Sequence, residues 1–195
     1  SNRDKERILY HIPGLLSRLG AAGRDPTIHL LRRSPLGRTR ALVKVQDGCD
    51  NHCTYCVVTI ARGAQQSRAP EQILNDIDDR LAEGYQEIVL TGVHIGAYGH
   101  DSAVNGPLPP SAGWSLARLV RTILDATKVR RLRLSSIEPW DLDLLALWPH
   151  PRLCRHLHLP LQSGCDNTLG RMGRKYNTQQ YKQMVDTIRQ RIPSV

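Results

Sequence analysis

The 195-residue chain has no run of about 18 apolar residues, which excludes a helical membrane span. Its first residues are polar and charged, without an apolar stretch behind a basic start, so no export leader is expected. It also lacks a disulfide framework. Of its five cysteines, three crowd into eight residues, which fits a reducing, cytoplasmic setting better than cross-links. Acidic residues are the scarcer charge, 18 against 27 Lys and Arg, for a formal net charge of +9. Two thirds of that excess lies in residues 1–40, with nine Lys and Arg against three Asp and Glu. Such a segment suits a polyanion such as RNA, or else is a solvated, charged leader. A hydrophobic content of 40% over this length is enough for one domain with a core.

Periodicity divides the chain. Residues 3–24 read as a linker with one short helix starting near Pro13, interrupted at Pro13-Gly14. Thr27 to Arg33 and Arg38 to Gln46 flank Ser34-Pro35-Leu36-Gly37, which predicts a β-hairpin whose second arm is the first strand of the main domain. Ala41 to Gln46 reads as a short buried strand running into the turn Asp47-Gly48. Pro70 can open a helix carrying the stripe Ile73, Leu74, Ile77 and Leu81, stopped by Gly84. Glu87–Thr91 is a second strand. Residues 99–113, rich in Gly, Pro and Ser, form a loop. Ser115 can cap a helix with Leu116, Leu119, Val120, Ile123 and Leu124 on one face. Arg131–Ser135 alternates as a third strand, and Asp141 caps a short helix through Leu147. His156–Leu159 reads as a fourth strand, with both histidines on one side and satisfied within the sheet. A short helical turn follows, and Thr178 opens a helix that turns Tyr181, Met184, Val185 and Ile188 inward. Strands alternating with helices predict a parallel α/β sheet with right-handed crossovers, its chemistry on the loops after the strands.

The most specific stretch is Cys49-Asp50-Asn51-His52-Cys53-Thr54-Tyr55-Cys56, spaced C-x3-C-x2-C on the loop after the first strand. Three soft ligands on one loop suit iron–sulfur or zinc chemistry. A 4Fe–4S cube takes one ligand per iron, so Cys49, Cys53 and Cys56 would leave one iron open. Structural zinc normally closes with four ligands from two knuckles, and here there is one group; His52 or a distant cysteine would have to complete it.

The triplet with Tyr55 before its last cysteine resembles the radical S-adenosylmethionine enzymes. The resemblance implies an open iron that chelates the amino and carboxylate groups of S-adenosylmethionine, with Tyr55 near the adenine. It implies a partial (βα) TIM-like barrel, here of about four βα units. Asp47-Gly48-Cys49 through Val58, with Arg62-Gly63 and Ser67-Arg68-Ala69-Pro70, looks like the methylthiotransferases. Thr91-Gly92-Val93-His94-Ile95-Gly96-Ala97-Tyr98-Gly99 and Ser135-Ser136-Ile137-Glu138-Pro139 look most like the branch acting on N6-threonylcarbamoyladenosine beside the tRNA anticodon. The branches acting on isopentenyladenosine tRNA or a ribosomal protein are the alternatives.

By position, the resemblance assigns Thr91, Gly92 and Val93 to the methionine amino group of the cofactor. It assigns Ser136, Glu138, Gln162 and Ser163 to ribose hydroxyls or substrate. Each has a plainer role as a turn or capping residue. Arg62 and Arg68 can meet a phosphate or the cofactor carboxylate, or serve at the surface or a helix end. Cys154 is expected to be partly buried packing, and Cys165 can approach the open iron.

The resemblance covers about residues 36–195, with 1–35 as a leader from a preceding domain. It implies a second cluster in an N-terminal domain, a C-terminal RNA-binding β-barrel, the tRNA anticodon stem-loop as partner, and a reductant such as flavodoxin or ferredoxin. The chain is then expected to be the central portion of such an enzyme, unable to complete methylthiolation by itself. Two other classes stay open: a zinc-bearing RNA-binding module without catalysis, and a radical enzyme on a small molecule.

Overall fold

The structure, a computed structural model, describes residues 39–101, 104, 106, 113–139 and 142–195. The leader, its short helix and the first arm of the expected hairpin lie outside the described residues. Among the described residues the strands are β1 (Arg40–Lys44), β2 (Gln46–Asp47), β3 (Gln66–Ser67), β4 (Glu87–Thr91) and β5 (Arg131–Leu134). The α-helices among the described residues are α1 (Val58–Arg62), α2 (Pro70–Ala82), α3 (Leu116–Ala126), α4 (Asp166–Arg171) and α5 (Thr178–Arg191), with 3-10 segments at Ile95–Ala97 and Leu142–Leu147.

β1, β4 and β5 form one parallel sheet in that order, with Arg40 beside Glu87 and Glu87 beside Arg131. Sheet neighbours are also successive among the strands of this sheet, and the connecting helices α2 and α3 both pack into its core. Singly wound order of this kind builds barrels, whereas a doubly wound sheet reverses direction.

The helices form where local chemistry starts and stops them. Pro70 opens α2 in its first turn. Its C-terminus is a Schellman turn: Gly84 at φ 92° donates to the Leu81 carbonyl, and the Tyr85 N–H reaches Arg80. Ser115 accepts from the Arg118 N–H at 3.2 Å and caps α3. α5 starts with a capping box in which Asn177 and Gln180 exchange hydrogen bonds of 2.8 and 2.9 Å.

One face of the sheet carries the core. Ala41, Val43, Ile88, Leu90, Leu132 and Leu134 pack with Ile73 and Ile77 of α2, Leu119 and Ile123 of α3, Met184 and Ile188 of α5, and Trp148. Each Val, Leu, Ile or Met side chain among them contributes about 1.5–3 kcal/mol on removal from water. The other face is different. β1 is not buried throughout: Leu42 is 69% exposed, because alternate residues point away from the helices. On that far face Glu87, 4% exposed, pairs with Arg40 at 3.0 Å, Arg131 at 2.9 Å and Arg133 at 2.6 Å.

Two expected elements take another form. The fourth strand is not a continuous strand but two isolated parallel bridges, Leu132 with Leu153 and Ser136 with His158. Between the bridges the β5 side advances four residues and its partner five, so an extra residue breaks the ladder as a bulge does. The segment before Leu147 is a 3-10 helix over Leu142–Leu147, and its expected cap, Asp141, lies outside the described residues. β2 and β3 also form a small antiparallel pair, Gln46 with Ser67 and Asp47 with Gln66, which folds the chain back beside the cysteine loop.

Candidate active site

The three cysteines stand on the loop that leaves the C-terminal end of β1 through β2. Its first turn can be made only by glycine. Gly48 has φ 68°, and a Cβ there would lie 2.0 Å from the Ala64 carbonyl oxygen. The loop closes on itself: the Cys49 N–H donates to the Gly63 carbonyl at 3.2 Å, the Gln65 N–H to Asp50 at 3.0 Å, and Thr59 Oγ1 to the Asn51 carbonyl at 3.0 Å. Asp47 braces the entry, accepting from Lys44 and Arg62 at 2.9 Å and from the Gly48 N–H at 3.0 Å. Burial opposes its ionisation, but these donors outweigh it and hold the carboxyl down to about 2.

Gln46 ties this loop to the next strand end. It is fully buried, and its amide is satisfied at four points. Nε2 donates to the Asp47 and Gly48 carbonyls at 2.7 and 2.8 Å, and Oε1 accepts from the Val93 and His94 N–H groups at 3.1 and 2.9 Å. Gly92 lies against it, since a Cβ there would sit 2.8 Å from the Gln46 carbonyl oxygen. Asn51 Nδ2 adds a second tie, donating to His94 Nδ1 at 3.3 Å.

The far side of the loop rests on α4. The Thr54 N–H donates to the Met172 carbonyl at 3.2 Å and Thr54 Oγ1 to Arg171 at 3.0 Å. Just beyond, Arg174 reaches back between elements. Nη1 lies 3.6 Å from Cys53 Sγ and 3.4 Å from the Tyr55 hydroxyl, and Nη2 pairs with Glu138. Cys53, Tyr55 and Glu138 are thereby joined through one guanidinium. Burial lifts the Cys49 thiol above its ordinary pKa; the Asn51 N–H opposes this, and Cys53 and Cys56 add to it. Among the described residues no three His, Cys, Asp or Glu side chains are grouped to hold a single metal ion. A cube binds one thiolate per iron, so its ligands need not converge on one point as zinc ligands do.

The other expected site residues divide. Ser136 Oγ shares a 2.7 Å hydrogen bond with His158 Nδ1, which satisfies that histidine as expected. Ser163 Oγ accepts from the Cys165 N–H at 3.2 Å, the plainer turn role. Gln162 is exposed and holds φ 67°, which only Gly adopts without cost. Arg68 donates to the Lys44 carbonyl at 2.7 Å and pairs with Asp76 at 2.8 Å, and Arg62 is held by Asp47, so both brace the fold. Cys154 is half-buried beside Trp148, whose Nε1 donates to its carbonyl at 3.1 Å, and Cys165 is exposed at the start of α4.

Sequence reasoning missed Gln46 and Arg174. Gln46 carried the signal of a polar residue at the end of an apolar strand. Arg174 lies three residues beyond the end of α4, with no periodicity to mark it. Ser135 was missed as well: its Oγ is buried with no hydrogen-bond partner among the described residues.

Comparison with known proteins agrees with this architecture. The chain is 39% identical over 194 residues to the threonylcarbamoyladenosine tRNA methylthiotransferase MtaB of Thermotoga maritima, covering 95% of this chain and 42% of that protein. It is 37% identical over 164 residues to the tRNA-2-methylthio-N(6)-dimethylallyladenosine synthase of Deinococcus radiodurans, covering 83% of this chain and 32% of the relative. The chain thus spans less than half the length of these relatives. In fold it resembles the radical S-adenosylmethionine methyltransferase TsrM of Kitasatospora setae, solved with cobalamin and a [4Fe-4S] cluster, with a TM-score of 0.57 and 17% identity over 77% of this chain and 29% of that one. Residues 43–195, which include the cysteine loop and every strand end around it, match the Radical SAM superfamily, and the chain belongs to that superfamily.

Proposed function

We propose that residues 36–195 are the radical-chemistry core of a tRNA methylthiotransferase, with residues 1–35 as a leader. The enzyme places a methylthio group on C2 of N6-threonylcarbamoyladenosine beside the anticodon. The observation that carries this reading is the three-cysteine loop pinned between the Gly92–His94 turn and Arg174. What favours the threonylcarbamoyl substrate is the Thr91–Gly99 and Ser135–Pro139 pattern, together with identity to the Thermotoga relative along 95% of the chain.

Cys49, Cys53 and Cys56 suit a 4Fe–4S cluster: they are three soft donors carried on one loop. When bound, the cluster and S-adenosylmethionine supply reductive cleavage chemistry and a methyl group. The chain's own residues position and shield. Gly92 and Val93 offer carbonyl oxygens, the right polarity for an ammonium, because Gln46 already engages the Val93 and His94 N–H groups. Ser135, whose buried hydroxyl has no hydrogen-bond partner among the described residues, and Glu138 offer groups for ribose or substrate hydroxyls. Tyr55, half-exposed beside Cys56, supplies an aromatic face for the adenine. The target base leaves its stack to reach this end of the strands. A one-electron donor such as flavodoxin or ferredoxin serves the cluster.

Anaerobic reconstitution with iron and sulfide tests the reading. It expects about four irons per chain and loss of the visible absorption in Cys53→Ala. Nucleoside analysis of anticodon stem-loops treated with the full-length enzyme then separates threonylcarbamoyl from isopentenyl substrates. A colourless protein holding one zinc would sink the proposal.

A further inference from the structure

Arg174 has more contacts than a structural ion pair requires. Its side chain is 2% exposed, less than that of the partner it pairs with, Glu138 at 19%. Gly173, at φ 71°, turns the chain under the cysteine loop, where an added Cβ would come within 3.3 Å of the His52 carbonyl oxygen. The following residue is thereby delivered to Cys53. The guanidinium lies over the Tyr176 ring, 5.2 Å from its centroid, and Tyr176 is itself anchored through its hydroxyl to the Pro160 and Leu161 carbonyls at 2.9 and 2.7 Å. So the cation is fixed on one side by an anchored ring, on a second by a carboxylate, and on a third it faces a cysteine sulfur at 3.6 Å and the Tyr55 hydroxyl at 3.4 Å. A planar fork can meet three groups at once, whereas an ammonium is a point charge on a flexible stem.

We infer that Arg174 is a positioning residue that holds a positive charge against the Cys53 sulfur and so raises the reduction potential of a cluster bound there. The inference rests on the cluster reading above. One-electron reduction adds a negative charge to the cluster and its thiolates. A donor and positive charge at a ligand sulfur stabilise that form more than the oxidised one. Glu138 sets how much of the charge is felt, because its carboxylate neutralises part of it. If Arg174 merely braced the fold, removing it would change stability and leave the potential of a correctly loaded cluster where it was.

The test is a mediated redox titration of the reconstituted full chain without S-adenosylmethionine, followed by visible absorption and electron paramagnetic resonance. Arg174→Gln is expected to lower the midpoint. At the wild-type midpoint its reduced-to-oxidised ratio falls about tenfold, which for a one-electron couple is about 59 mV. Arg174→Lys restores part of the loss. Glu138→Gln, which leaves the guanidinium uncompensated, moves the midpoint upward, and it carries the test should Arg174→Gln fail to load. A wild type that takes up no cluster overturns the earlier reading and this inference with it. A wild type that loads normally, with Glu138→Gln and any loaded Arg174→Gln keeping its midpoint, overturns this inference alone.

Discussion

Gln46 and His94, 48 residues apart, are joined by a single buried amide: the His94 N–H donates to Gln46 Oε1 at 2.9 Å, while the same side chain's Nε2 donates to the Gly48 carbonyl at 2.8 Å. Two loops that carry the site are thus registered by one residue. Gln46→Leu keeps the approximate volume and strands the Val93 and His94 N–H groups. Since each buried donor left unmade costs about 1–3 kcal/mol and these two are only partly buried, the expected loss is about 2–4 kcal/mol, in the lower part of the range for two donors, read by urea unfolding. Iron uptake should fall with it. A variant as stable as the parent would show that the amide is dispensable.

Gly48 and Gly63 both hold positive φ, 68° and 80°, and alanine tells them apart. At Gly63 nothing lies within 4 Å of an added Cβ, but φ 80° with ψ −163° is a backbone region essentially reserved for glycine, so Gly63→Ala should cost that backbone penalty alone, about 1–3 kcal/mol. At Gly48 the Cβ meets backbone, not a side chain that can swing away, and relief requires moving the loop. Gly48→Ala is expected to cost at least about 2 kcal/mol more than Gly63→Ala. The two melting temperatures, measured side by side on the metal-free protein, check the difference.

Much of the architecture was legible because it rests on local rules. Glu87–Thr91 occupies the expected strand, Pro70 and Gly84 bound α2, and Ser115 caps α3. The bridges at Leu153 and His158 were not legible as such, since alternation at His156–Leu159 says nothing of an extra residue between two pairing positions. The site was legible where spacing carries chemistry, at the three cysteines. It was not legible where one side chain joins distant segments. Gln46 and Arg174 matter through partners 36 to 121 residues away in the chain, and no short window of sequence contains both ends. Nor could spacing show that Arg62 and Arg68, beside the cysteines, are engaged by Asp47 and Asp76.

Glu87 sets an acid limit on stability. Burial works against its ionisation, but the Arg133 hydrogen bond and the charges of Arg133, Arg40 and Arg131 outweigh it, so its pKa is lowered. A carboxyl with a depressed folded-state pKa contributes stability that is complete above its unfolded value, about 4.3, and is lost as pH falls through the folded value. Unfolding free energy should therefore drop below pH about 4.3. Glu87→Gln should flatten that limb and cost about 1.5–3 kcal/mol at pH 7, toward the lower figure because Arg40 and Arg131 are each 60% exposed. Urea titrations from pH 3 to 7 read both effects. An unchanged acid limb in the variant would assign the loss to other carboxylates.

Gln162 offers a way to separate stability from ligand binding. Its φ of 67° places a side-chain-bearing residue where the Cβ crowds the following carbonyl. An observed outlier of this sort at a strand-end loop is what a functional constraint leaves behind. Gln162→Gly removes the strain and should stabilise the fold by about 1 kcal/mol, discounted by the greater freedom of glycine in the unfolded chain. If the exposed amide also contacts cofactor or substrate, the same change weakens S-adenosylmethionine binding to the reconstituted protein. Calorimetric titration beside thermal melts distinguishes the cases. A rise in melting temperature with weaker binding marks Gln162 as a ligand residue held at a cost in stability. A rise with unchanged binding marks it as a strained turn, and a fall marks local contacts that outweigh the strain.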